Sequence, residues 1–229
     1  MNAPQKIGIL GGTFDPPHIG HLRLATHFAK LLNLDTVLLI PSGEPWQKGS
    51  HITCANVRYQ LTEAAGIDLA RAFLYLKIPT QVGIDRIEID RPGPSYAIDT
   101  AQALRERFGS TTNLIWLMGA DSLLALPSWH RWQELIQYIN IAVASRPNHH
   151  LTADRQLTLS GFLSQHQVFT ASDLEKHPYG HIWVDEHLAI NLSSTELREQ
   201  LQSSARTSIG SDQIPSHTLE IITKLGLYQ

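Results

Sequence analysis

A chain of 229 residues exceeds the usual single-domain length of about 150 but falls short of two comfortable domains, which favours one domain with insertions over residues 1–229. Its 42% hydrophobic content supplies one well-filled core, and 17% charged residues is too few for a disordered chain. A formal net charge of −3 argues against a general nucleic-acid or membrane-surface binder, which would carry a basic excess.

The single cysteine, Cys54, excludes an internal disulfide, and no apolar run reaches the ~18 residues of a membrane span. Met1 to Lys6 is too polar for an export signal, so the expectation is a cytoplasmic protein that binds neither nucleic acid nor membrane. A homo-oligomer is left open.

Ile7 to Leu10 is a short apolar run ending in Gly11-Gly12, as expected of a buried strand feeding a tight loop. Ile19 to Leu32 places Leu22, Ala25, Phe28, Ala29 and Leu32 at helical spacing, and Thr36 to Ile40 is an apolar strand stopped by Pro41. Strand, helix and strand in this order form a βαβ unit, which implies a parallel sheet with right-handed crossovers. Val57 to Ala70 and Ser95 to Phe108 read as helices, with a strand at Ile84 to Ile89 between them. Leu114 to Met118, Ile139 to Ala144 and Ile182 to Val184 are the remaining predicted strands.

Two closing helices are predicted, Ser194 to Leu201 and Ser216 to Leu225; the second follows Pro215 and stops at Gly226. Ser203 to Ser211 reads as a Ser-rich surface loop, and His149-His150 as an exposed pair without zinc-ligand spacing. The fold class is therefore α/β, a mainly parallel sheet with helices on both faces plus C-terminal helices. Such sheets bind ligands at the carboxyl ends of their strands, near the switch in strand order.

The loop after the first strand reads Gly11-Gly12-Thr13-Phe14-Asp15-Pro16-Pro17-His18-Ile19-Gly20-His21. Two glycines let the backbone approach a ligand, and the prolines stiffen the entry to the helix. His18 and His21, three apart, project to one side of a helix N-terminus whose free N–H groups and dipole favour an anion. Far along the chain, Leu192-Ser193-Ser194-Thr195-Glu196-Leu197-Arg198 forms a second candidate anion cradle. A capping box accounts for Ser193 and Glu196, but Ser194 and Arg198 also share a helix face.

The first segment resembles the HIGH signature of the nucleotidylyltransferase superfamily, here His18-Ile19-Gly20-His21, and the second resembles that superfamily's Ser-Ser-Thr-x-x-Arg signature. Class I aminoacyl-tRNA synthetases share the first, but this chain is too short for one and lacks their Lys-Met-Ser-Lys-Ser-like loop. Three further stretches are similar to bacterial nicotinate mononucleotide adenylyltransferases: Arg91 to Thr100, Met118 to Leu123, and Leu126 to Trp132. The resemblance runs from Ile7 to about Arg198, with a weaker match at Leu225-Gly226-Leu227-Tyr228. Two departures stand out: Gln47 where the family has a histidine in Pro-Pro-His-Lys, and Ala97 where it has threonine after Ser-Tyr.

The resemblance implies a Rossmann-like, doubly wound fold and an enzyme that joins ATP to nicotinate mononucleotide, releasing pyrophosphate, in NAD biosynthesis. It implies an ATP site of Gly11, Gly12, Thr13, Phe14, His18, His21, Gly119, Asp121, Ser193, Ser194, Thr195 and Arg198. Among these His18, His21 and Arg198 are the catalytic candidates, and Mg2+ would accompany ATP. Lys48, Ser95, Tyr96 and Trp129 are the implied mononucleotide contacts.

On periodicity alone Trp129 and Trp132 could both be core; the resemblance moves Trp129 towards the ligand. Pro127 is expected to end one helix and Ser128 to cap the next, leaving Trp129 at a helix start. Alternatives are nicotinamide mononucleotide or another phosphorylated acceptor, and a nucleotide-binding sensor without activity. A dinucleotide-dependent redox enzyme is disfavoured, because the first loop lacks Gly-x-Gly-x-x-Gly.

Overall fold

The computed structural model describes residues 5–47, 52–145, 157–188, 194–202 and 209–228. The predicted loop at Ser203 to Ser211 therefore lies largely outside the described residues, as does the pair His149-His150.

In chain order the elements are β1 (Lys6–Gly12), α1 (Ile19–Leu31), β2 (Thr36–Pro41), α2 (Ala55–Tyr75), β3 (Gln81–Ile84) and α3 (Ala97–Phe108). There follow β4 (Asn113–Gly119), α4 (Ala120–Ala125), two short 3-10 turns (Leu126–Ser128 and Trp132–Gln137) and β5 (Asn140–Ala144). The last are α5 (Leu157–His166), β6 (Gln167–Val168), α6 (Ala171–Leu174), β7 (Ile182–Asp185), α7 (Ser194–Gln202) and α8 (Ser216–Leu225).

The seven strands form one sheet in the order β3-β2-β1-β4-β5-β7-β6, and every pair is parallel. β1 has β2 on one side and β4 on the other, so the chain winds outwards in both directions from that pair. This is the Rossmann-like, doubly wound arrangement, and its switch point falls beside the Gly11-Gly12 loop.

Both faces of the sheet are covered, which is why Leu114 to Met118 is an unbroken apolar run rather than an alternating one. Ile115 and Leu117 point to the face covered by α1 and α2, against Leu24, Phe28 and Leu69. Leu114, Trp116 and Met118 point to the opposite face, against Ile98 and Leu104 of α3 and Leu135. A third cluster lies outside the sheet, where Leu197, Leu201, Ile214 and Ile222 pack on Leu61 of α2. At the start of α8, the His217 ring and backbone N–H both meet the Asp68 carboxylate of α2, at 2.7 and 2.9 Å. Gly226 ends α8 in the left-handed conformation (φ 60°, ψ 35°), the predicted glycine stop.

One predicted element is corrected. The strand expected at Ile84–Ile89 is instead Gln81–Ile84, paired in register with Thr36 to Leu39 of β2. The Asp85 carboxylate then accepts the Ile87 N–H at 2.9 Å, and Asp90 N–H bonds Arg86 O, so the chain turns where the strand was expected to continue. Ile87, partly buried, packs against the cluster that holds Ile98 and Leu104. The short elements α4, α5, β6 and α6 were not foreseen, and α2 runs five residues past Ala70 to Tyr75.

Candidate active site

A cavity of about 710 Å3 opens at the carboxyl ends of β1 and β4. Gly11 sits there because a Cβ at that position would lie 2.8 Å from the Trp116 ring of the neighbouring strand. Gly11, Gly12, Thr13 and Phe14 line the cavity, as do His18 and His21 at the start of α1. His18 is the N-cap, and its backbone N–H donates to His21 Nδ1 at 3.1 Å. Nδ1 of His21 is therefore an acceptor, so in the neutral ring the proton resides on Nε2.

The two imidazoles stack with centroids 3.7 Å apart, and Phe14 meets His21 edge-on at 4.9 Å. Burial lowers the His18 pKa to about 4, and His18 Nδ1 is enclosed without a hydrogen-bond partner. Burial, then the neighbouring His18, push His21 well below its ordinary value, against the opposing effect of the backbone N–H bond. Both rings are neutral at physiological pH: donors and acceptors rather than fixed cations.

The start of α7 comes back to the same loop from the far end of the chain. Ser194 Oγ donates to Pro16 O at 3.1 Å, and Arg198 Nη1 donates to Asp15 O at 2.6 Å. Arg198 Nη2 reaches Thr195 Oγ1 at 3.3 Å, and Ser194, Thr195 and Arg198 all line the cavity. The two candidate anion cradles are thus one place. Lys48 and Ser193 lie outside the described residues.

The same cavity is lined by Gly119, Asp121, Ser95, Trp129 and His130. Trp129 packs edge-on against Trp116 at 6.2 Å, while Trp132 packs against Phe162 at 4.7 Å, away from the cavity lining. Tyr96 stacks on His130 at 4.2 Å with Trp46 edge-on at 5.8 Å, so its ring braces a lining residue. The expected capping by Ser128 is corrected: Pro127 lies inside a 3-10 turn, and Ser128 Oγ donates back to Ala125 O at 2.7 Å. Trp129 consequently follows that turn in extended conformation rather than starting a helix. Ser128 Oγ also accepts from Gln47 Nε2 at 3.1 Å, tying the loop after β2 to this turn.

Three buried polar groups that carried no role in the sequence hold these loops. Arg58, 1% exposed, donates to Thr53 O, Thr13 O and Gly43 O, each at 2.8 Å, and so joins the loops after β1 and β2. Its place on the face of α2 that carries Leu61, Ala65 and Leu69 was a signal that periodicity could have raised. Asp15, fully buried, accepts from Thr53 N–H and from the Tyr228 hydroxyl.

Glu88 accepts the Thr100 hydroxyl at 2.7 Å, and its pKa is raised by burial against the opposing pull of Thr100 and Arg91. Ser95 Oγ accepts the Gly43 and Glu44 N–H groups at 2.9 and 3.1 Å, so its oxygen anchors the loop while the residue lines the cavity. Among the described residues no group of three or more His, Cys, Asp or Glu side chains is placed to hold a metal ion. No helix among them is long and apolar enough to cross a membrane.

Comparison with known proteins agrees with this geometry. The cytidylyltransferase-like family model matches residues 9–200. A "probable nicotinate-nucleotide adenylyltransferase" of Aeromonas salmonicida (strain A449) is 39% identical, over 100% of this chain and 99% of its own length. One of the same name from Neisseria meningitidis serogroup C / serotype 2a (strain ATCC 700532 / DSM 15464 / FAM18) is 35% identical, over 98% and 99%. In fold, the chain is similar to Plasmodium falciparum nicotinic acid mononucleotide adenylyltransferase complexed with NaAD, at TM-score 0.69, 15% identity and 98% and 97% coverage. Full-length identity at this level, with the family model spanning most of the chain, bears out the resemblance read from the motifs: the chain belongs to the nicotinate-nucleotide adenylyltransferase family of nucleotidyltransferases.

Proposed function

We propose that this protein joins ATP and nicotinate mononucleotide into nicotinate adenine dinucleotide, releasing pyrophosphate, within a single domain. The observation that carries the reading is the meeting of His18, His21, Ser194 and Arg198 at one loop, in a cavity that Trp129 also lines. An oxygen of the mononucleotide 5′-phosphate attacks the α-phosphorus of ATP in line. The new O–P bond forms as the bond to the β-phosphate oxygen breaks, and pyrophosphate leaves with that electron pair. A phosphate monoester is already a nucleophile, so the protein needs to position reactants and stabilise charge rather than supply a strong base.

In this reading Gly11, Gly12, Thr13 and Phe14 form the floor under the ATP phosphates. His21 presents its Nε2–H, with His18 beside it, to the oxygens around the reacting phosphorus. Arg198, with Ser194 and Thr195 at the start of α7, takes the β- and γ-phosphates and the leaving pyrophosphate, and Ser193 is the fourth residue assigned to them. Magnesium would enter as part of the MgATP substrate and offset the charge of its phosphates, as suits an ion bound largely through substrate and water. Gly119 and Asp121 face the ribose, and Trp129 offers its indole to the pyridine ring. Ser95 and Tyr96 shape the mononucleotide end together with Lys48.

The test is pyrophosphate release from ATP with each pyridine mononucleotide in turn. The expected result is turnover with a higher kcat/KM for the nicotinate form. A preference for the nicotinamide form would reassign the acceptor, and no release with either would overturn adenylyl transfer.

A further inference from the structure

The closing residues of the chain touch the proposed ATP end, though they belong to neither of its motifs. Beyond Gly226, Tyr228 adopts φ 58° and its hydroxyl donates to Asp15 Oδ1 at 2.5 Å, across 213 positions of sequence. The other oxygen, Oδ2, accepts Thr53 N–H at 3.1 Å. Arg198 bonds the Asp15 backbone oxygen at 2.6 Å, yet its guanidinium stops 3.9 Å short of Oδ2. The buried carboxylate is thus held by two neutral donors, with Arg198 at ion-pair distance but outside hydrogen-bond reach and the Arg58 charge also acting on it. Burial and the adjacent Asp15 charge push the Tyr228 phenol well above its usual range, so it remains a donor.

We propose that Tyr228 is a positioning residue for Arg198: by occupying the Asp15 carboxylate, it keeps Arg198 from tightening its 3.9 Å ion pair into a hydrogen-bonded one and leaves the guanidinium to the phosphates of the nucleotide. Without the hydroxyl, Asp15 Oδ1 loses its donor, and the less satisfied carboxylate would draw in Arg198, whose Nη1 already stands 3.9 Å from Oδ2. A charge-assisted bond of that kind would neutralise Arg198 and withdraw it from the cavity. The proposal rests on the adenylyltransferase reading given above.

The experiment is calorimetric titration of MgATP, with no acceptor present, into the wild-type protein, Tyr228→Phe, Arg198→Ala and the double variant, each with a thermal melt. We expect Tyr228→Phe to weaken ATP binding about tenfold, as for loss of one hydrogen bond to a charged group. Its effect should vanish in the Arg198→Ala background, and in turnover assays KM for ATP should rise while that for the mononucleotide stays unchanged. Unchanged ATP affinity in Tyr228→Phe would overturn the proposal, as would an equal loss with and without Arg198. A lower melting point or lost folding with no selective loss of ATP binding would assign the hydroxyl to stability and overturn it too. Failure of the wild-type protein to bind ATP would instead overturn the functional reading on which it rests.

Discussion

His18 and His21 show how far a residue pair can be read before its surroundings are known. Their spacing placed them on one side of a helix start; their protonation came from burial, which no spacing encodes. For His21→Ala the expected outcome is a fall in kcat of about 10²-fold, the scale of a lost transition-state donor. Near-normal turnover at saturating ATP would remove the ring from the chemistry.

His18, 6% exposed, links to stability with a definite sign. Its folded pKa of about 4 lies below the ordinary 6.5, so the unfolded chain takes up the proton first as pH falls. The contribution is complete above pH 6.5 and is lost as pH drops towards 4, amounting to about 3 kcal/mol. Thermal melts between those values should show the wild type losing stability more steeply than His18→Asn; parallel curves would contradict this. Trp129 and Trp132 were indistinguishable by periodicity, and packing separates them. Trp129→Ala should raise KM for the mononucleotide more than for ATP, and equal effects on both would favour a purely structural indole.

Between elements, the loops rather than the strands decide the shape of the cavity. β1, α1 and β2 were legible because each carries its own pattern: an apolar run, a helical stripe, a proline stop. The stretch after β3 was not, because Asp85 captures the Ile87 N–H and turns a chain whose composition still looks extended. That turn delivers the Glu88 backbone to Gly43, where a Cβ would stand 2.2 Å from Glu88 O. Neither residue will yield, since Arg58 holds Gly43 O and Thr100 holds the Glu88 carboxyl. Gly43→Ala should therefore displace the loop after β2, lower the melting temperature and raise KM for the mononucleotide severalfold. An unchanged KM would show that the loop does not shape that end of the cavity. The same reasoning makes Arg58→Met costly, by about 3–5 kcal/mol in urea unfolding, because three carbonyls lose their buried donor at once and Asp15 loses a nearby positive charge.

At the scale of the whole molecule, two sheet faces and an outlying third cluster divide the labour. The third cluster seats α7 and α8 on α2, and so carries Arg198 and Tyr228 to the first loop. Truncating its centre, Ile222→Ala, should cost about 2–5 kcal/mol through lost burial and a residual cavity. That loss, measured by chemical denaturation, should leave both KM values unchanged while the protein is folded, the reverse of the pattern expected for Tyr228→Phe. A selective rise in KM for ATP would instead show that α8 transmits its packing to the site.

The sequence by itself determined the α/β class, the parallel sheet and the family, because strand runs, helical stripes and the two signature segments are local and survive without neighbours. What only the tertiary structure decided is how distant groups share partners: Arg58 across two loops, Asp15 among Thr53, Arg198 and Tyr228, and the Ser95 oxygen between two backbone N–H groups. Hydrogen-bond demand in a buried region is met by whichever group the fold brings near, and spacing along the chain carries no record of that choice.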